Sequence, residues 1–219
     1  MSASSELWLF GSVARGDTDD LSDVDVLVAG ELEPQALSDL PYPKERMSLV
    51  RYDWPELHQM AGYGSLFLHH LRLEGKLLFS PHKSELAALL EDLPPYGRAQ
   101  QEISTFVRVL DDVESALNGD HSPEFELAVI ATALRHSCIL GCYAAGKPKF
   151  GRRSAFELFL RHSGREDLVD AAQQLYDFRL YEDGRGALPF KATTLEVRLW
   201  LVRTREVLAA VGRELDALN

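Results

Sequence analysis

The stretch LWLFGSVARGDTDDLSDVDVLVAG, residues 7–30, decides the fold of the first part of the chain. Its two apolar runs, 7–10 and 24–29, have the composition of buried strands, and a polar loop joins them. Two carboxylates, Asp23 and Asp25, stand at the start of the second run with one apolar residue between them. Because side chains alternate between the two faces of a strand, both carboxylates are predicted to project on one side, with Cβ atoms about 6–7 Å apart. Such a pair repels itself unless a cation lies between its members.

The Gly11-Ser12 turn directly follows the first apolar run. Glycine allows a close approach of the backbone, and exposed N–H groups together with the Ser12 hydroxyl can bind phosphate. Hard divalent ions prefer oxygen ligands and keep coordination positions open for phosphate oxygens. We therefore interpret Asp23 and Asp25 as ligands of Mg²⁺, with Mn²⁺ as the alternative, in a site for a polyphosphate.

These residues resemble the signature of the DNA polymerase beta-type nucleotidyltransferase superfamily, G-S-x-x-x-G followed by S-D-x-D. The superfamily includes minimal prokaryotic members and the aminoglycoside-modifying nucleotidyltransferases. The resemblance implies an α+β protein in which a small mixed-sheet nucleotidyltransferase domain is followed by a helical bundle. The matching residues stand in the family's order and between the right elements: Gly11, Ser12, Arg15, Gly16, Ser22, Asp23 and Asp25.

The resemblance also implies a reaction. A metal on Asp23 and Asp25 would bridge the β- and γ-phosphates of an NTP, for which ATP is the first expectation. An acceptor hydroxyl would attack the α-phosphorus in line, activated by a second metal. The residues implied in nucleotide binding are Gly11, Ser12, Arg15 and Ser22.

Arg15 has two interpretations that the sequence leaves open. Its guanidinium can neutralise a phosphate, or it can brace the loop through Asp17, Asp19 or Asp20.

The third carboxylate of the family is missing from the expected place. Members usually present it on the neighbouring strand, here predicted at residues 47–52, and Ser48 occupies the acidic position. Glu45 and Asp53 lie an odd number of residues from Ser48 and so face the other way, and only a bulge would bring Asp53 round. The chain is therefore expected to bind Mg-NTP and to transfer slowly. The alternative is a catalytically impaired module that binds nucleotide or a protein partner.

The hydrophobic pattern changes from period 2 to period 3.6 near residue 80, where we place the domain boundary. This predicts a nucleotidyltransferase domain at 1–81 and an all-α bundle at 84–219 that binds the acceptor or a partner. Within the first domain, a helix is predicted over 55–75 and a short edge strand follows it at 76–80. The bundle helices are predicted at 84–93, 97–118, 123–145, 153–163, 165–182 and 192–218.

Composition narrows the partners. The 219 residues are 46% apolar and carry 34 acidic against 23 basic residues, a net charge of −11. Long nucleic acid is disfavoured by this charge, and apolar stretches are broken by charged residues too often for a membrane span. We expect a soluble, cytoplasmic protein with a small-molecule or protein acceptor, and a homodimer stays open.

Three further features have structural interpretations. Cys138 and Cys142 have no additional cysteine to complete a zinc site, so we expect them to be core thiols. His69 and His70 are adjacent on a predicted helix and diverge, which also favours structural roles. The basic segment GKPKFGRR at 146–153 is interpreted as a solvated connector, with a phosphate or acceptor contact as the alternative.

Overall fold

The computed structural model describes residues 5–18, 22–31, 37 and 39–218. The chain forms two compact units that divide between Arg98 and Ala99. The first contains a mixed sheet with helices, and the second is built from helices. The predicted fold class is confirmed.

The described residues of the first unit form four strands, β1 Glu6–Phe10, β2 Val24–Ala29, β3 Met47–Tyr52 and β4 Lys76–Phe79. They make one sheet in the order β3-β2-β1-β4. β1 is antiparallel to both β2 and β4, whereas β2 and β3 are parallel. Each strand lies where the alternating pattern predicted it, and β4 is an edge strand as expected.

The helices of this unit are α1 Gly11–Arg15, α2 Trp54–Gly62, α3 Leu66–Glu74 and α4 Glu85–Glu91. The prediction of one helix over 55–75 was wrong, because the helix is interrupted between α2 and α3. Gly64 has a φ of +64°, and a side chain there would clash with the carbonyl oxygen of Pro94. Ser65 then begins a new helix by accepting a hydrogen bond from the N–H of Phe67.

The two faces of the sheet bury different cores. Trp8, Phe10 and Leu27 lie on one face and pack with residues of α2, α3 and α4. Leu9 and Val26 belong to a second core on the opposite face. Helices thus cover the face that carries Trp8. The candidate site lies on the same face, at the end where β1 stops.

The division between the units falls later than the predicted boundary at 81–84. The buried carboxylate of Glu6 accepts hydrogen bonds from the Ser84 hydroxyl at 2.6 Å and from the Glu85 N–H at 2.6 Å. Leu86 and Leu90 of α4 pack in the core of the sheet unit. Residues 84–98 therefore lie with the first unit, and their helical periodicity alone does not assign them to the bundle.

The second unit is all-α, as predicted. Its central helix, α6, packs against each of the other four. Cys138 and Cys142 are free and buried, and burial raises the pKa of Cys142 to about 12. The helices are α5 Ala99–Ala116, α6 Pro123–Ala144, α7 Arg152–His162, α8 Val169–Glu182 and α9 Thr194–Asp216.

By length and composition alone, α6 could cross a membrane. This differs from the expectation that charged residues interrupt the apolar stretches too often for a membrane span. However, 72% of its apolar 18-residue window is buried inside the protein. The helix is apolar on all sides because other helices surround it, which is typical of the core helix of a bundle.

The basic connector 146–153 runs into α7. Arg153 pairs with Glu157 at 3.0 Å, and the guanidinium of Arg152 lies 5.5 Å from the ring centre of Tyr176. The Phe150 carbonyl accepts a hydrogen bond from Arg135 at 3.0 Å. These contacts anchor the connector within the helical unit, and its phosphate or acceptor role stays a prediction.

Candidate active site

Asp25 and Gly11 lie in direct contact. Asp25 pairs across the sheet with Phe10, the last residue of β1, and Gly11 is the next residue along the chain. Gly11 has a φ of +73°, and a Cβ atom added to it would clash with Oδ2 of Asp25. The structure thus brings the glycine turn and one predicted metal ligand together, although their roles stay predictions.

Asp23 immediately precedes β2 and Asp25 is the second residue of that strand. Val24, between them, is buried in the core of the opposite face. If the alternation of side chains along β2 extends to the residue before the strand, Asp23 lies on the same face as Asp25.

Ser22 is buried beside this pair. Its carbonyl oxygen accepts a hydrogen bond of 2.7 Å from Nη2 of Arg46, which lies in the short 3₁₀ turn Lys44–Arg46 ahead of β3. This contact holds the backbone one residue before Asp23. Sequence reasoning missed Arg46, because no local pattern links a turn arginine to a carbonyl 24 residues away.

Ser48 stands opposite Asp25 in the parallel ladder between β2 and β3. The pairing runs from Met47 to Tyr52 without a register shift, so the side chain of Ser48 shares the face of Asp25. The bulge that would bring Asp53 to this face is not formed. Asp53 instead caps α2 by accepting from the Glu56 N–H at 2.7 Å.

Glu45 lies in the 3₁₀ turn before β3 rather than on the strand. Throughout the described part of the chain, no three His, Cys, Asp or Glu side chains are grouped as a metal site. The structure offers the Asp23 and Asp25 pair no third carboxylate within those residues.

Arg15 lies between two carboxylates. Its Nε donates to Oδ2 of Asp17 at 3.0 Å, and its Nη1 donates to Oε2 of Glu74 at 2.7 Å. The bracing interpretation through Asp17 therefore describes this arginine in the structure, while Asp19 and Asp20 lie outside the described residues. Its phosphate contact stays a prediction. No local pattern indicates Glu74 as a partner, because it lies 59 residues further along the chain.

Glu74 also pairs with His70, which lies one helical turn earlier on α3. Nε2 of His70 is 2.9 Å from Oε2 of Glu74. Burial acts to raise the pKa of Glu74, but hydrogen bonds and charges from His70 and Arg15 outweigh it and hold that pKa below its usual value. The His70 ring meets the edge of Phe10, with centroids 5.7 Å apart. His70 thus lies next to the glycine turn.

His69 has the structural surroundings that were predicted for it. It is buried, its Nδ1 lies 2.9 Å from Arg72 and its Nε2 lies 3.1 Å from the Pro94 carbonyl oxygen. Burial and then the charge of Arg72 lower the pKa of His69, which favours the neutral ring.

Residues 2–87 match the family model of the nucleotidyltransferase domain. This segment is a nucleotidyltransferase domain, as the resemblance of its motif predicted. The chain is also similar in structure to the spectinomycin adenyltransferase AAD(9) from Enterococcus faecialis, solved with ATP and spectinomycin. The TM-score is 0.54 at 14% identity, over 93% of this chain and 91% of that one, so the likeness is one of fold. No curated protein matches the chain in sequence.

We predict that Gly11→Ala disrupts the site more than Gly16→Ala does. Both glycines have positive φ, +73° and +81°, so each substitution strains the backbone by roughly 1 kcal/mol. Only at Gly11 would the new methyl group also displace the Asp25 carboxylate, whereas nothing lies within 4 Å of a Cβ at Gly16.

The measurements are thermal unfolding and Mg-ATP binding of both variants. Gly16→Ala should lower stability slightly and keep binding, while Gly11→Ala should lose at least about tenfold in affinity. Equal effects at the two glycines would show that the Gly11 contact with Asp25 is unimportant.

Proposed function

We propose that the protein is a Mg²⁺-dependent nucleotidyltransferase that moves a nucleoside monophosphate from an NTP, ATP first, to a hydroxyl of a small molecule or a protein. The observation that carries this proposal is the contact between Gly11 and the Asp25 carboxylate. This contact brings a turn of the kind that binds phosphate next to a carboxylate that would bind the cation paired with that phosphate. The family match of residues 2–87 supports the reaction class. The AAD(9) structure with ATP and spectinomycin supports ATP and a small-molecule acceptor.

Asp23 and Asp25 are the residues that would hold the metal, and carboxylate oxygens are ligands that suit Mg²⁺ or Mn²⁺. When bound, such an ion neutralises triphosphate charge and favours in-line attack on the α-phosphorus. Gly11, which lacks a side chain, lets the backbone approach the phosphates, and the Ser12 hydroxyl can donate to a phosphate oxygen. Arg46 fixes the Ser22 carbonyl and so orients the segment that carries Asp23.

A second candidate function is a module that binds nucleotide or a protein partner without turnover. The pairing of Ser48 with Asp25 favours it, since a neutral hydroxyl occupies the position facing the metal ligand. A hydroxyl holds a divalent ion far less strongly than a carboxylate does. The two candidates share nucleotide binding and differ in catalysis.

The first prediction is that ATP binds only with Mg²⁺ and that Asp25→Ala or Asp23→Ala abolishes this binding. The triphosphate and two carboxylates repel one another without a cation between them. Titration calorimetry with and without Mg²⁺ gives the measurement. Asp53→Asn is the control, because it removes a carboxylate at the opposite end of β3 from Ser48 while an asparagine can still cap α2. Equal affinity in wild type and Asp25→Ala would reject the metal assignment.

The second prediction separates enzyme from module. In a slow transferase supplied with an acceptor such as an aminoglycoside, Ser48→Asp should raise pyrophosphate release from ATP by about tenfold or more, because it supplies the missing charge opposite Asp25. Ser48→Asn is the control of similar size without charge, and Asp25→Ala is the blank.

Turnover that stays at the blank level in both wild type and Ser48→Asp would support the module. A rapid wild type that Ser48→Asp slows would contradict the account of the missing carboxylate altogether.

The acceptor prediction follows from charge. A net charge of −11 favours a cationic small molecule, such as an aminoglycoside, or a protein hydroxyl over RNA. The assay follows transfer of label from α-labelled ATP to an aminoglycoside panel, to protein and to tRNA. Label on tRNA alone would overturn this preference.

A further inference from the structure

Arg15 is held by two carboxylates of different character. The Glu74 side chain is only 14% exposed and also bonds His70, whereas the Asp17 side chain is 54% exposed. Exposed ion pairs are weak and screened by salt, and partly buried ones are screened much less. Of these two contacts, the one with Asp17 is therefore the easier to exchange.

The end of α3 contacts the chain on both sides of the glycine turn. His70 packs on Phe10, immediately before Gly11, and Glu74 binds Arg15, the last residue of α1. A carboxylate held between a histidine and an arginine restricts the rotamers of both. Glu74 binds Arg15 through Nη1, a nitrogen that the contacts with Asp17 do not use.

Asp17 lies in the loop that leaves α1, one residue beyond Gly16. Both of its carboxylate oxygens lie within 3.1 Å of Nε of Arg15. A phosphate oxygen offers the same acceptor chemistry and more negative charge, so it can replace a carboxylate at an N–H of arginine.

We propose that Asp17 competes with the triphosphate for Arg15, and that Glu74 is a positioning residue that retains Arg15 during this exchange. The proposal rests on the proposed function, because it assumes that an NTP binds at the Gly11 turn. It unites the two interpretations of Arg15: Asp17 braces the arginine until phosphate takes its place. Asp17 thereby lowers the affinity for nucleotide, and the contact between Glu74 and Arg15 raises it.

The test is a set of Mg-ATP dissociation constants measured by calorimetry at low salt. Asp17→Asn should tighten binding by about threefold to tenfold, because it removes the competitor. Glu74→Gln should weaken binding by about tenfold, because it removes the charge that holds Arg15 while conserving side-chain shape. A purely structural ion pair with Asp17 would give the opposite sign, since its loss could not tighten binding.

Removing Asp17 also lowers the general repulsion of phosphate, and a double-mutant cycle separates the two effects. In an Arg15→Gln background, Asp17→Asn should change the dissociation constant by less than about twofold if the competition passes through Arg15. An equal gain in both backgrounds would assign the effect to repulsion alone and overturn the proposal. Thermal unfolding of each variant checks that the fold is intact, and the Asp17 and Arg15 variants decide the outcome even if Glu74→Gln is unstable.

The Asp25→Ala variant separates failure of this inference from failure of the proposed function. If wild type binds Mg-ATP, Asp25→Ala abolishes it and Asp17→Asn leaves it unchanged or weaker, only the competition is wrong. If wild type does not bind Mg-ATP at all, both the competition and the proposed function are overturned.

Discussion

The candidate site depends on the approach of the Asp25 carboxylate to Gly11. Phe10 pairs with Asp25 across the sheet, so the chain must leave β1 directly beside that carboxylate. It does so with a φ of +73° and without a side chain, a combination that only glycine provides at low cost. The strand pairing, the glycine turn and the acidic pair are thus parts of one constraint.

The sheet face that carries this site is also the face on which α2, α3 and α4 pack. The buried core holds Trp8 and Leu27 in the middle of the face, Glu6 binds the start of α4 at one end, and Asp25 lies at the other. Functional side chains mounted on paired strands keep their geometry better than side chains on free loops. This arrangement explains why most of the site belongs to β1, β2 and the turn after β1, with α3 holding the turn through Glu74.

The same rigidity explains why Ser48 matters. The parallel register between β2 and β3 is regular from Met47 to Tyr52, and Asp53 already caps α2. Glu45 or Asp53 could reach the face of Asp25 only if the register changed, which would turn the apolar side chains of β3 away from the core. A hydroxyl opposite Asp25 is therefore a stable feature of the fold.

Local patterns in the sequence determined the four strands, most helix bounds of the bundle and the motif from Gly11 to Asp25, since periodicity and turn chemistry act over a few residues. The break at Gly64 was missed although Gly64 and the Ser65 cap are local features, because apolar residues continue at helical spacing across it. Local patterns could not determine the placement of α4, which depends on hydrogen bonds between Glu6 and the start of that helix. The partners of Arg15 were likewise decided by tertiary structure. Asp17 lay within reach of sequence reasoning, but Glu74 comes from another helix, and only folding brings their charges together.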